Sequence, residues 1–493
     1  DAPSKENFVR RITSRATALG NYVYIEGGSI MQREDKTPGS NFSNDPRSDR
    51  ILRNVESTLS IDMTSSWSSD TVAIRTIPKP GLQPRHNAVV ITDAARGEYY
   101  VWGGSSLDRL RLGQDPAMYK FTVDGKGGGN WTEEAPRNWK ATQNVEQAAY
   151  ASTNEATFII GGIVHAGTEP NRDPGEQAVP GMVTFDLKTK SFINDTATWI
   201  SPSSTNLGGR AEFIPGFGRK GLIVVLGGLE PTLTFGFVRK QQERIDFHNL
   251  TFYDPEAKRW HWQVSTGDVP PPTPRHSFCS AGHQTPNGGF EILISGGNNP
   301  WGDGHGTVYS DAYILSLPGF FWTRVPDLSE PRKQHPCVPV GRRQILSVGG
   351  APNEIRSDNT PNITDTAPQG LLLFDMTSLQ WKHDYDANDS PYESTDTIKN
   401  WYRNGSLESV QWSSDTVRAL FINDPSINPS DNTTNREPET ADPPSTRPAS
   451  TTAKIVGTTV GASLGLAVVG AAIWLYLGRK RAKKRNIITE YNG

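Results

Sequence analysis

The chain has 493 residues, a formal net charge of −3, and 35% hydrophobic against 21% charged residues. No global basic excess points to nucleic acid, and two cysteines, Cys279 and Cys337, are too few for a disulfide scaffold. The 47 glycines and 36 prolines fit a loop-rich, all-β body.

Read in order, the chain repeats one arrangement: an apolar burst that stops on two glycines. The bursts are YVYIEGG at 22–28, YYVWGG at 99–104, TFIIGG at 157–162, LIVVLGG at 222–228, EILISGG at 291–297 and QILSVGG at 344–350. From second glycine to second glycine the spacing is 76, 58, 66, 69 and 53 residues. Their Val, Ile, Tyr and Leu content reads as buried strands, and the glycines as punctuation where each strand turns out of its sheet. Downstream come Phe185-Asp186 with Phe192, Tyr253-Asp254 with Trp260, and Phe374-Asp375 with Trp381. Looser versions are Ile61-Asp62 with Trp67, Phe121 with Trp131, and Tyr313 with Trp322. Such pairs fit two short strands joined by an Asp-initiated turn, with aromatics that bridge neighbouring sheets. Ahead of the bursts stand PRH at 84–86 and 274–276, PR at 331–332, and a lone Arg210.

An apolar run with Gly-Gly, then an aromatic, then a Trp, resembles the Kelch family over about residues 8 to 382. The resemblance implies an all-β propeller of the Kelch and galactose-oxidase type with six blades. The hexapeptide WSSDTV complicates the count, because it occurs at 67–72 and again at 412–417. The second copy is expected to be an extra strand that closes the ring, half of a seventh blade, or a chance repetition.

The segment HSFCSAGHQTPNGGF at 276–290 is similar to the strand of copper-radical oxidases that supplies a tyrosine-cross-linked cysteine, with Cys279 in its place. The position matching the tyrosine holds Gln334 or a neighbour, and the chain contains no Tyr-His dipeptide to supply two further copper ligands. No cofactor or metal is therefore expected. The chain also lacks a His-Glu-x-x-His motif, and GKGGGN at 125–130 reads as a turn. The most site-like loop is NNPWGDGHG at 298–306, where Trp301 is placed to stack on a sugar or peptide, and Asp303 with His305 to bind a ligand or metal. Its alternative is an exposed Gly-rich turn. His86 and His276 read as hydrogen-bonded members of the repeat, and Arg85, Arg275 and Arg332 as structural, although an arginine ring at a propeller mouth can also bind acids.

The start at Asp1 without Met suggests a processed product. Residues 1–422 are expected to form the propeller, and the Pro/Ser/Thr-rich residues 423–454 a disordered, O-glycosylated stalk. The uncharged run at 455–477 is long enough for a transmembrane helix. The basic residues in 478–493 then place the tail in the cytoplasm. Gly457, Gly461 and Gly465 share one helix face, a pattern that favours a helix-mediated homodimer. Sequons at Asn41, Asn130, Asn194, Asn249, Asn362, Asn388, Asn404 and Asn432 all precede the membrane run. That location permits a Cys279–Cys337 disulfide, the alternative being two buried thiols. The layout resembles fungal cell-surface Kelch proteins. It implies a plasma-membrane module that binds an extracellular protein or glycan, with a galactose-oxidase-superfamily enzyme as the alternative. The long stretches after the glycine pairs share one face, and the partner is expected there.

Overall fold

The computed structural model describes residues 2–33, 50–106, 118–138, 144–169, 176–195, 204–230, 243–267, 270–299, 307–352 and 363–422. They lie within one compact unit, Asp1–Thr434. Their strands form six four-stranded antiparallel sheets, and in each the chain runs from the innermost strand outward. Blade 1 contains Arg15–Leu19, Tyr22–Glu26, Ser57–Asp62 and Arg75–Pro78. Blades 2 to 6 begin at Val89–Asp93, Ala149–Ser152, Arg210–Ile214, Cys279–Gln284 and Cys337–Val340. Each innermost strand touches the next, and that of blade 6 touches that of blade 1, so the ring closes with six blades. The described residues form an all-β propeller.

The core follows from that arrangement. A sheet covered on both faces needs continuous apolar strands, and the Gly-Gly bursts are such strands: Leu222–Leu226 and Gln344–Val348 are buried throughout. Six apolar clusters result, one between each pair of adjacent blades. The aromatics downstream hold these layers together. Phe185 and Phe192 pack on Tyr100 and Trp102 of blade 2, and Trp322 Nε1 donates to Phe247 O at 3.0 Å. Asp186, Asp254 and Asp375 each accept two backbone N–H groups of the turn that follows.

The glycine pairs prove to be stitches between blades. In every blade the second glycine donates its N–H to a carbonyl of the next blade: Gly28 to Arg85, Gly104 to Val145, Gly162 to Asn206, Gly228 to Arg275, Gly297 to Arg332 and Gly350 to Arg11, at 2.7–2.9 Å. A Cβ on the first glycine of each pair would lie less than 3.0 Å from the same carbonyl oxygen. Just inside this ring runs a second. Asn87 N–H donates to Thr13, Gln147 to Asn87, Gly208 to Gln147, Ser277 to Gly208 and Gln334 to Ser277. All six residues have φ between 51° and 67°. This collar of main chain surrounds the axis at the start of the innermost strands.

Several expectations need correction. The second WSSDTV is neither an extra strand nor half a blade. It leads into a helix, α2 (Asp415–Phe421), whose N-cap Ser414 accepts from Val417 N. Trp67 is not a blade aromatic either. It pairs with Tyr385 in a two-stranded clasp, and Arg75–Pro78 completes blade 1. Within the long stretch after the first glycine pair, Ser29–Arg33 pairs with Phe8–Ile12 on one side and with Arg50–Asn54 on the other. From the clasp the chain crosses blades 6, 5 and 4 on the side of their short turns. Asp389 meets Arg342 and Gln344, α1 (Asp396–Arg403) stacks Trp401 on Phe321, and Phe421 of α2 packs on Phe217 and Phe252.

Among the described residues no helix is long and apolar enough to cross a membrane; the run 455–477 lies outside them.

Candidate functional site

The innermost strands enclose an axial cavity of about 380 Å³. Exposure along its wall rises from buried Arg15, Gly209 and Cys279 at the strand starts to exposed Ala18 and Pro339 near their ends. The cavity therefore opens toward the short turns, away from the collar and the glycine pairs.

Two guanidiniums dominate the wall. Arg15 pairs in register with Glu26, the residue before Gly27, and Arg210 with Leu226, the residue before Gly227. They thus hold the same position in blades 1 and 4, opposite each other across a ring of six. Arg210 is accordingly not a fourth member of the Pro-Arg set. That position in blade 4 belongs to Asn206, whose Nδ2 donates to Gly227 O at 2.9 Å. Arg275 makes the equivalent bond to Gly296 O and an ion pair with Asp311. Arg332 does so with Gly349 O and Asp365, so these arginines brace the glycine stitches.

Arg15 donates to Ala88 O at 2.9 Å, and Arg210 to Phe278 O at 2.6 Å and His335 O at 3.4 Å. Among the described residues neither arginine has a carboxylate within 4.0 Å, and carbonyls alone fix their planes. Burial, with Arg15 nearby, pushes Arg210 down to about 9. The carboxylate on this wall, Glu212, is pushed up to about 7 by burial, against a bond from Ser280 Oγ and the attraction of Arg210. Near neutrality the cavity therefore carries more positive than negative charge, lined otherwise by groups such as Thr17, Tyr150 and Ser152. Such a site can receive an anionic group, and guanidiniums suit carboxylate, sulfate or phosphate.

Cys279 and Cys337, on neighbouring innermost strands, are bonded to each other. Cys279 therefore has no free thiol for a thioether to tyrosine, and Gln334 sits in the collar. His86 is neutral and structural: its Nδ1 meets Thr13 Oγ1 at 2.8 Å, its Nε2 meets Asn54 Oδ1 at 3.0 Å, and burial lowers it to about 4. His276 behaves alike, lowered to about 3 by burial with Ser277 Oγ at 3.0 Å. Trp301, Asp303 and His305 lie outside the described residues, as do Asn41, Asn362 and Asn432. Asn130, Asn194, Asn388 and Asn404 are exposed, whereas Asn249 is half-buried. What sequence reasoning missed is Arg15, Glu212 and their convergence with Arg210.

No family model matches the chain. A Kelch repeat-containing protein of Arthroderma benhamiae is 27% identical over 266 residues, 53% of this chain and 35% of that protein. Kelch-like protein 34 of Homo sapiens is 30% identical over 109 residues, 21% of this chain and 15% of that protein. The chain thus spans about a third or less of these relatives. A solved structure titled "Structure of YjhT" superposes with a TM-score of 0.47 at 12% identity, covering 77% of this chain and 98% of that one. Similarity to these two Kelch-named relatives, together with the six four-stranded sheets, supports a Kelch-type propeller.

Proposed function

We propose that the protein is a recognition module at the cell surface, held by the 455–477 run as a membrane anchor, which binds a protein or glycan partner by an anionic group inserted into the axial cavity. The observation that carries this reading is the pair Arg15 and Arg210. Two guanidiniums with no carboxylate within 4.0 Å among the described residues face one cavity, where an entering anion supplies their counter-charge. The propeller supplies a rigid frame, so the ligand meets donors that are already in place. The opening toward the short turns makes that face, rather than the long-loop face, the docking side.

Arrays of acidic peptides and of uronate- or sulfate-bearing glycans, with neutral counterparts, test the reading. Binders should be anionic and salt-sensitive, and Arg15→Gln or Arg210→Gln should each weaken them about tenfold or more. Binders that are all neutral, or affinities untouched by both substitutions, would refute it. For the anchor, the full chain should partition with membranes, and a chain ending at residue 422 should not.

A further inference from the structure

The disulfide has a third neighbour. The two Sγ atoms and an imidazole nitrogen of His335 all lie within 4.8 Å of one another. His335 is fully buried, and its ring is oriented by Nδ1 against Ser347 Oγ at 2.8 Å. An imidazole held by a neighbouring hydroxyl is what a metal-ligating histidine needs from its surroundings. Cys337 is half-buried on the cavity wall, so the cluster has a path to solvent.

We propose that Cys279, Cys337 and His335 form a site for one thiophilic divalent ion, such as Zn²⁺, which exists only when the disulfide is reduced. Bonds of about 2.3 Å to sulfur and about 2.0–2.1 Å to nitrogen draw the three ligands within roughly 4 Å of each other. Opening the S–S bond and rotating the two side chains achieves this without moving the strands, whose Cα atoms are 5.3 Å apart. Two thiolates neutralise the ion, so the buried site gains no net charge, and water from the cavity takes the fourth position. The chemistry balances with a phosphine as reductant. It becomes the phosphine oxide with oxygen from water, the S–S bond takes up two electrons and two protons, and the metal releases those protons from the thiols. Disulfide and metal site are therefore alternative states of one place in the wall. Arg210 bonds to the carbonyls of Phe278 and His335, residues next to or within the cluster, so exchange between the states also reaches the guanidinium.

The full chain, reduced with a phosphine and titrated with Co²⁺, tests this. One Co²⁺ per chain should bind with a near-ultraviolet thiolate-to-cobalt band that Zn²⁺ abolishes. The band should be absent from the oxidised chain and from Cys337→Ser, and His335→Gln should weaken cobalt binding about tenfold or more. A band in the oxidised chain, or one unchanged in His335→Gln, overturns the proposal. So does its absence while two thiols titrate per chain and the circular dichroism stays native, or unfolding on reduction alone.

Discussion

Glu212 is a carboxylate placed where its charge costs the fold and opposes the ligand. Its folded pKa of about 7 stands above its ordinary value of 4.5, chiefly through burial. The folded chain therefore holds this proton more tightly than the unfolded chain. Stability falls as pH rises from about 4.5, and the loss is complete above about 7. Glu212→Gln removes the effect, so wild type should lose about 1–2 kcal/mol relative to the variant between pH 5 and 8 in urea titrations, allowing for water in the cavity. Parallel stability curves for the two proteins would show that the burial is not felt. The same proton controls charge at the two arginines. Anion affinity should drop as pH passes about 7 in wild type and stay level through that range in Glu212→Gln.

At the level of elements, the glycine pair is the unit that makes a ring from sheets. Gly349 has φ +63°, and a Cβ there would overlap the main chain of Arg11, just ahead of the first blade. Gly20, in a turn, has φ +61° and open space around it. Gly349→Ala combines strain with backbone collision and should cost more than about 3 kcal/mol, whereas Gly20→Ala pays the conformational term of about 1 kcal/mol. Equal costs in denaturant melts would mean that close approach is not what fixes these glycines. Because the same pair of adjacent glycines meets this demand in all six blades, the blades were legible in the sequence. The site was not, for a physical reason. Arg15 lies 12 residues ahead of its Gly-Gly pair and Arg210 lies 17 ahead, the turn between the first two strands being longer in blade 4. Spacing hid an equivalence that only strand register reveals. WSSDTV misled in the opposite way: its Ser, Asp and Thr suit a turn or a helix N-terminus equally. Packing decides between them, with Trp67 against Tyr385 in one copy and Trp412 against Phe421 in the other.

Across the whole molecule, closure is the step that the repeat does not itself provide, since each blade is built from one continuous stretch of chain. Three devices join blade 6 to blade 1. Gly350 is stitched to Arg11, and Arg10 and Arg332 share Glu330 and Asp365 in a buried cluster. The third device is the C-terminal strap that begins at the Trp67–Tyr385 clasp. Its contacts are strongest where they are most buried: Tyr392 and Ser394 donate to Glu291 inside blade 5, and Phe421 inserts among the aromatics of blades 4 and 5. Removing the strap would strand Glu291 without these two donors and expose that aromatic cluster, penalties of several kcal/mol together. A chain ending at residue 422 keeps every one of these contacts; it loses the Pro/Ser/Thr-rich residues 423–454, whose composition cannot bury a core, and the uncharged run 455–477 with its basic tail. The chain ending at 422 should therefore melt with the full-length protein, and a chain ending at 383 should melt roughly 5–10 °C lower. Thermal denaturation of the two truncations decides the matter, and coincident transitions would show that the ring closes without its strap.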